Sequence, residues 1–283
     1  MKLLAIFVFF ILLFGCCQFF PAGPSSNQTT SPPSGTAQPG GTAPDETEPQ
    51  TQPSSQTQPQ SGTGLESREI SYKAGAWVIY GTLYESQSKV PSKVVVLLPA
   101  LGKTRDSYPA SFINGLHNNM PDAIIVALDM RGHGKSTNLG TYSSFDTAQF
   151  KDMKGDVIAL KPYLDSTYPN LHSVYLVGAS LGSTAAILAG AQDRYINKVV
   201  MISPGMEYPG VNITTAAQDY MTPLLLIASS GDSYSAQSLD SIVELKSSPQ
   251  VETKLYPGSA HGTDLFDATN GAMADLVIQF LKK

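Results

Sequence analysis

SVYLVGASLGSTAAILAG, residues 173–190, reads as a strand, a sharp turn and a helix. Val174 to Val177 form an apolar, β-branched run that leads directly into Gly178-Ala179-Ser180-Leu181-Gly182, and small and aliphatic residues continue from there at helical length. In that setting a Gly-x-Ser-x-Gly turn forces its serine into a strained backbone and lifts the hydroxyl above the sheet edge. The small residues two positions to either side let strand and helix approach closely. The pattern makes Ser180 a candidate nucleophile. The same five residues also occur in glycine-rich loops that merely contain a serine, so the rest of the chain has to decide.

With 283 residues, of which 42% are hydrophobic, the chain has material for a sizeable core in one or two domains. The formal net charge is −5 and no basic cluster is present, which argues against nucleic acid as a partner. Both cysteines, Cys16 and Cys17, lie near the start. The rest of the chain is therefore expected to lack disulfides and cysteine metal sites and to hold together by packing.

Met1-Lys2 followed by LLAIFVFFILLF has the layout of an export signal. Leu13-Phe14-Gly15-Cys16 resembles a lipoprotein box, which implies a lipid on Cys16. Left uncut, the apolar stretch would serve as a single membrane anchor. Either way, residues 1–20 are expected to tether an exported protein to the outer face of the cytoplasmic membrane. Residues 21–67 are built from Pro, Ser, Thr, Gln and Gly and bury too little to offset their ordering entropy. They read as a disordered stalk of about 45 residues, spanning roughly 35 to 40 Å.

From Arg68 onward, strand-like runs alternate with helix-like ones. EISYK and WVIYGTLY form an opening pair, followed by KVVVLLPA, AIIVALDM, SVYLVGA, NKVVMISP, TPLLLIASS and TKLYPGS. Helices are expected near residues 108–118, 147–166, 181–190, 235–247 and 263–281. The later strands are apolar throughout, which is the sign of a parallel sheet covered on both faces. Residues 68–283 resemble an α/β-hydrolase. The resemblance rests on GASLG, on LDMRGHGKS (residues 128–136), on SSGD after the penultimate strand and on GSAHG near the C-terminus. It implies an eight-stranded, mostly parallel sheet with helices on both faces. Only residues 206–222 connect the sixth and seventh strands, so little or no cap is expected and the site should be open.

The resemblance also implies the order nucleophile, acid, histidine. His117, His133 and His172 precede Ser180, which leaves His261 as the base. Asp232, directly after LLLIASSG, is the favoured acid, with Glu207 beyond the preceding strand as the alternative. Asp219, Asp240, Glu244 and Glu252 read as surface charges. The backbone N–H groups of Leu181 and Leu101 are the expected oxyanion donors. Leu101 lies in Pro99-Ala100-Leu101-Gly102, where the family carries His-Gly-x-Gly. Tyr108, Tyr142, Met206 and Tyr208 either line the site or pack. Arg131 and His133 are expected to bond their own loop, and Trp77 to pack the opening hairpin. Lys103 and Arg105 read as solvated charges, with an anionic substrate as the alternative.

The expected function is a serine hydrolase of the carboxylesterase kind, acting on a small ester without metal or cofactor. A peptidase or amidase with the same triad is the nearest alternative. A surface binding protein that keeps the scaffold without catalysis is the alternative from another class. Oligomeric state is left open.

Overall fold

A computed structural model describes residues 64–86, 90–246 and 250–283. The export signal or anchor, the lipid on Cys16 and the stalk up to residue 63 lie outside the described residues.

The opening hairpin pairs β1 (Leu65–Ala74) with β2 (Trp77–Ser86) over their full length, so the first strand starts three residues ahead of Arg68. Strands β3 (Lys93–Leu98), β4 (Ala123–Asp129), β5 (Ser173–Ala179), β6 (Ile196–Ile202), β7 (Leu224–Ser229) and β8 (Val251–Tyr256) complete one sheet. Its order is β1-β2-β4-β3-β5-β6-β7-β8. β2 meets β4 antiparallel, and every ladder from β4 to β8 is parallel.

Alternate residues of the apolar strands feed two cores, one on each face. Val94, Val96 and Leu98 of β3 face one layer, and Val95 and Leu97 face the other. The second layer is covered by α1 (Ala110–Asn119) and, at the C-terminus, by α8 (Leu265–Ala268) and α9 (Ala272–Lys282). The first layer is covered by α2 (Thr147–Lys151), α3 (Lys154–Ile158), α4 (Leu160–Asp165), α5 (Leu181–Gln192), α6 (Thr214–Asp219) and α7 (Ser233–Leu245). α5 is buried over most of its length, which explains why it is apolar all round rather than striped.

The sequence predicts one helix over 147–166, and three short ones are found. The first break falls where Met153 and Asp156 donate backbone N–H bonds to Phe150 and Met153, three residues back, and the second falls at Ala159. The tightening turns Asp156 fully inward. There its carboxylate accepts from the Arg131 backbone N–H at 2.9 Å and from the Arg131 guanidinium Nε at 2.8 Å. The C-terminal segment likewise divides, because Asn270 and Gly271 turn through positive φ before α9.

Between β6 and β7 the chain makes a single bridge, Glu207 to Asn212, and the six-residue α6. No cap domain rises there. Among the described residues no helix is long and apolar enough to cross a membrane.

Candidate active site

The C-terminal ends of β3, β5, β6, β7 and β8 lie on one edge of the sheet, and each delivers a residue to a common site. β5 stops at Ala179, and Ser180 turns into α5 with φ 51° and ψ −115°, a conformation that non-glycine residues rarely adopt. The turn is possible because its glycines lack side chains. A Cβ on Gly178 would lie 2.3 Å from the Gly182 carbonyl oxygen, and one on Gly182 would lie 2.1 Å from the Leu98 carbonyl oxygen and 2.7 Å from that of Pro99. The same contact seats the start of α5 against the turn after β3. Leu181 is the first residue of α5, so its N–H has no acceptor within the helix, and Leu101 lies in the turn closed by Lys103 N–H donating to Ala100 O at 3.0 Å. The two expected oxyanion donors therefore sit on segments in contact, at the positive end of a twelve-residue helix.

His261 comes after β8 in a loop braced against its neighbours. Ser230 N–H donates to Tyr256 O at 2.8 Å, Gly231 N–H to Gly258 O at 2.7 Å and Ser229 Oγ to Ala260 O at 2.7 Å. On the other side of the imidazole, Gly262 N–H donates to Ser203 Oγ at 2.9 Å. Ser203, directly after β6, is buried at φ 51°. With the loop fixed in this way, His261 Nε2 lies 2.9 Å from Ser180 Oγ and His261 Nδ1 lies 2.7 Å from Asp232 Oδ2. If Nδ1 carries the proton and donates it to Asp232, Nε2 is free to accept from the Ser180 hydroxyl.

Asp232 heads the thirteen-residue α7, where the helix dipole favours a negative charge. Burial pushes its carboxyl up, but Ser235 and His261 outweigh that and hold it below the usual carboxylate value. Glu207, the alternative acid, is engaged elsewhere. Its Oε2 accepts from Asn212 Nδ2 at 3.3 Å, and its backbone N–H donates to the Tyr234 hydroxyl at 3.0 Å.

Asp129, at the end of β4, ties down the far side of the turn after β3. Its buried carboxylate accepts from Arg105 N–H at 2.9 Å and from Lys135 N–H at 3.1 Å. The Arg105 guanidinium pairs with Glu69 at 2.5 Å. Arg105 is therefore a structural cation rather than a solvated one, whereas Lys103 is exposed. In the RGHG loop, His133 Nδ1 lies 3.0 Å from Arg131 O and its ring stacks on Tyr142 at 4.4 Å. Burial lowers the pKa of that imidazole. Trp77 is buried edge-on against Phe145.

Of the aromatic and sulfur side chains that could line the site, Tyr208 borders the pocket beside Ser180 and His261. Tyr108 is buried, with its hydroxyl 2.9 Å from both Leu98 O and Val177 O, and it pins β3 to β5 from below. Tyr142 packs over the oxyanion turn beside Gly102, and Met206 packs against the core. Sequence reasoning misses Ser203 and Ser235. Ser203 directly follows an apolar strand, as the sequence pattern marks, whereas Ser235 lies in the first turn of α7 and carries no such signal. Among the described residues no group of three or more His, Cys, Asp or Glu side chains gathers as a metal site.

The family model described as serine aminopeptidase, S33 (Hydrolase_4), matches residues 89–215. No curated protein matches the chain. Among solved structures, an esterase from Pyrococcus furiosus is similar with a TM-score of 0.64 and 20% identity, over 77% of this chain and 92% of that one. A thermostable carboxyl esterase from Bacillus coagulans is similar with a TM-score of 0.60 and 16% identity, over 76% and 97% of the two chains. A dienelactone hydrolase from Anabaena variabilis is similar with a TM-score of 0.59 and 16% identity, over 77% and 97%. Strand order, the elbow after β5 and these likenesses together establish that the chain has the α/β-hydrolase fold.

Proposed function

We propose that the protein is a serine hydrolase that cleaves carboxylic esters through an acyl-enzyme on Ser180. The observation that carries this reading is the relay from Asp232 through His261 to a serine on a strained elbow, with hydrogen-bond distances of 2.7 and 2.9 Å. In the first half-reaction Ser180 Oγ attacks the ester carbonyl carbon, and its proton passes to His261 Nε2. The carbonyl oxygen becomes an oxyanion facing the N–H groups of Leu101 and Leu181. Collapse breaks the bond to the alcohol oxygen, which takes the proton from His261 and leaves. Water then attacks the acyl-enzyme, gives one proton to His261 and releases the acid, and Ser180 recovers its proton. Asp232 orients the imidazole and stabilises its cationic form.

A fluorophosphonate probe should label the protein stoichiometrically, with the adduct mapped to Ser180 by peptide mass spectrometry. An unlabelled, folded protein would instead favour the non-catalytic binding scaffold.

The description of the matched family gives a second reading, cleavage of an amide at an amino terminus. A free α-ammonium group needs a carboxylate to hold it, and among the described residues no acidic one lines the pocket beside Ser180. p-Nitrophenyl butyrate is therefore expected to react with a higher kcat/KM than alanine p-nitroanilide. The reverse order would select the peptidase.

Asp129 acts here as a positioning residue for the oxyanion turn. Asp129→Ala should lower kcat about tenfold or more, because a displaced donor weakens transition-state binding, while KM changes much less. Asp129→Asn, which keeps an acceptor for Arg105 N–H, should recover part of that loss. Equal effects on kcat and KM, or no rescue, would refute the role.

Export and tethering through residues 1–20 form part of the same proposal and rest on their sequence. Replacing Cys16 with serine should abolish incorporation of labelled fatty acid if the lipid reading is right. Unchanged incorporation would remove it.

A further inference from the structure

The pocket that opens beside Ser180 encloses about 180 Å³. That compares with the about 150 Å³ of an apolar cavity that holds benzene. It therefore suits a group of roughly four to six heavy atoms. Its walls are unlike a hydrocarbon slot. Tyr208 and Tyr234 supply ring faces, but Thr184, Ser203 and Ser235 bring three hydroxyls, and each of these residues is about 1% exposed. Among the described residues no Asp, Glu, Lys or Arg lines the pocket. The group it favours is neutral.

The hydroxyls are not equally occupied. Ser203 Oγ already accepts from Gly262 N–H. Ser235 Oγ is buried and makes no hydrogen bond of regular geometry, although it lies near enough to the Asp232 carboxylate to help hold it below its usual value. A buried hydroxyl in this condition, on a residue lining an open pocket, is satisfied by whatever polar group enters the pocket. The direction of the reaction indicates which half of the substrate that is. The His261 side chain is 49% exposed, so the alcohol it protonates departs towards solvent. The substituent that stays on the carbonyl carbon is left with the half-open pocket.

We propose that this pocket selects short, neutral acyl groups that carry a hydroxyl or carbonyl a few bonds from the ester, with Ser235 Oγ as the group that reads it. The inference rests on the ester-hydrolase reading above and narrows its substrate class. Ethyl butyrate and ethyl 3-hydroxybutyrate differ by that single group, and their hydrolysis is followed by proton release at constant pH. The wild-type protein should favour the hydroxylated ester about fivefold or more in kcat/KM, the size of one good hydrogen bond. Ser235→Ala should bring the ratio to one or below.

A wild-type ratio at or below one overturns the inference, and this measurement stands even if the variant does not fold. A ratio that persists in Ser235→Ala also overturns it, because Ser235 would then act only by supporting Asp232 and both esters would slow together. Fluorophosphonate labelling of Ser180 separates the two levels. A labelled protein without the preference refutes only the pocket assignment, whereas an unlabelled folded protein refutes the hydrolase reading itself.

Discussion

Ser180→Ala should leave a folded protein whose kcat on p-nitrophenyl butyrate is about 10⁴ to 10⁶-fold lower. The loss is large because Ser180 Oγ is the hydroxyl that lies 2.9 Å from His261 Nε2. Ser183 Oγ is committed to Ser180 O at 2.6 Å, and Ser203 Oγ accepts from Gly262 N–H. Residual activity would come from the donors at Leu101 and Leu181, which act on the carbonyl whatever attacks it. Alanine keeps the Cβ and so keeps the strain of φ 51°, and its thermal midpoint should stay near that of the parent. Ser180→Gly removes that strain and should be more stable than Ser180→Ala by about 1 kcal/mol, although glycine's greater freedom in the unfolded chain offsets part of the gain. The pair separates the two roles of the position. Activity within tenfold of the parent in either variant would remove Ser180 as the nucleophile.

That the serine can be found in the sequence at all stems from how this fold buries its strands. A strand covered on both faces is apolar along most of its length, so β3 to β7 stand out as apolar runs. The residue that ends each run is then marked by its polarity. Ser180 and Asp232 are marked on that ground, and His261, which follows the largely exposed β8, only by the order that the resemblance supplies. The runs also mark the two-faced sheet and the shortness of the connection after β6. Ser203 bears the same mark, and Ser235 sits in the first turn of α7. They do not stand out, because hydroxyls at strand and helix ends are common in chains of any function, and only the three-dimensional contacts separate a brace from a cap. The break-up of 147–166 is not legible either. Its composition suits a continuous helix, and nothing local announces that Asp156 within it is held by Arg131, twenty-five residues earlier in the chain. Tyr108 shows the same limit. A tyrosine just beyond the oxyanion turn suits a pocket wall as well as a buried pin, and only its contacts with Leu98 O and Val177 O distinguish them.

Asp232→Asn should cost about 10⁴-fold in kcat with little change in substrate binding. The amide is nearly the same shape as the carboxylate, but it presents N–H as well as C=O towards His261 Nδ1. When the N–H faces the ring, the proton moves to Nε2, and that nitrogen can no longer accept from Ser180. The lost charge also ceases to stabilise the imidazolium formed during attack. The pH dependence of stability provides an independent check. The Asp232 carboxyl is held below its unfolded value, so the stability it adds is present above about pH 4 and is lost as pH falls through its folded value. The stability difference between parent and Asp232→Asn should therefore be greatest near neutrality and shrink towards pH 3, as read from urea midpoints at the two pH values. Glu207→Gln serves as the control, because Glu207 bonds Asn212 rather than His261. Its kcat should stay within about twofold of the parent. If Glu207→Gln carries the large loss and Asp232→Asn does not, the relay runs through the other carboxylate, and the loop bracing that sets the Asp232–His261 contact has another purpose.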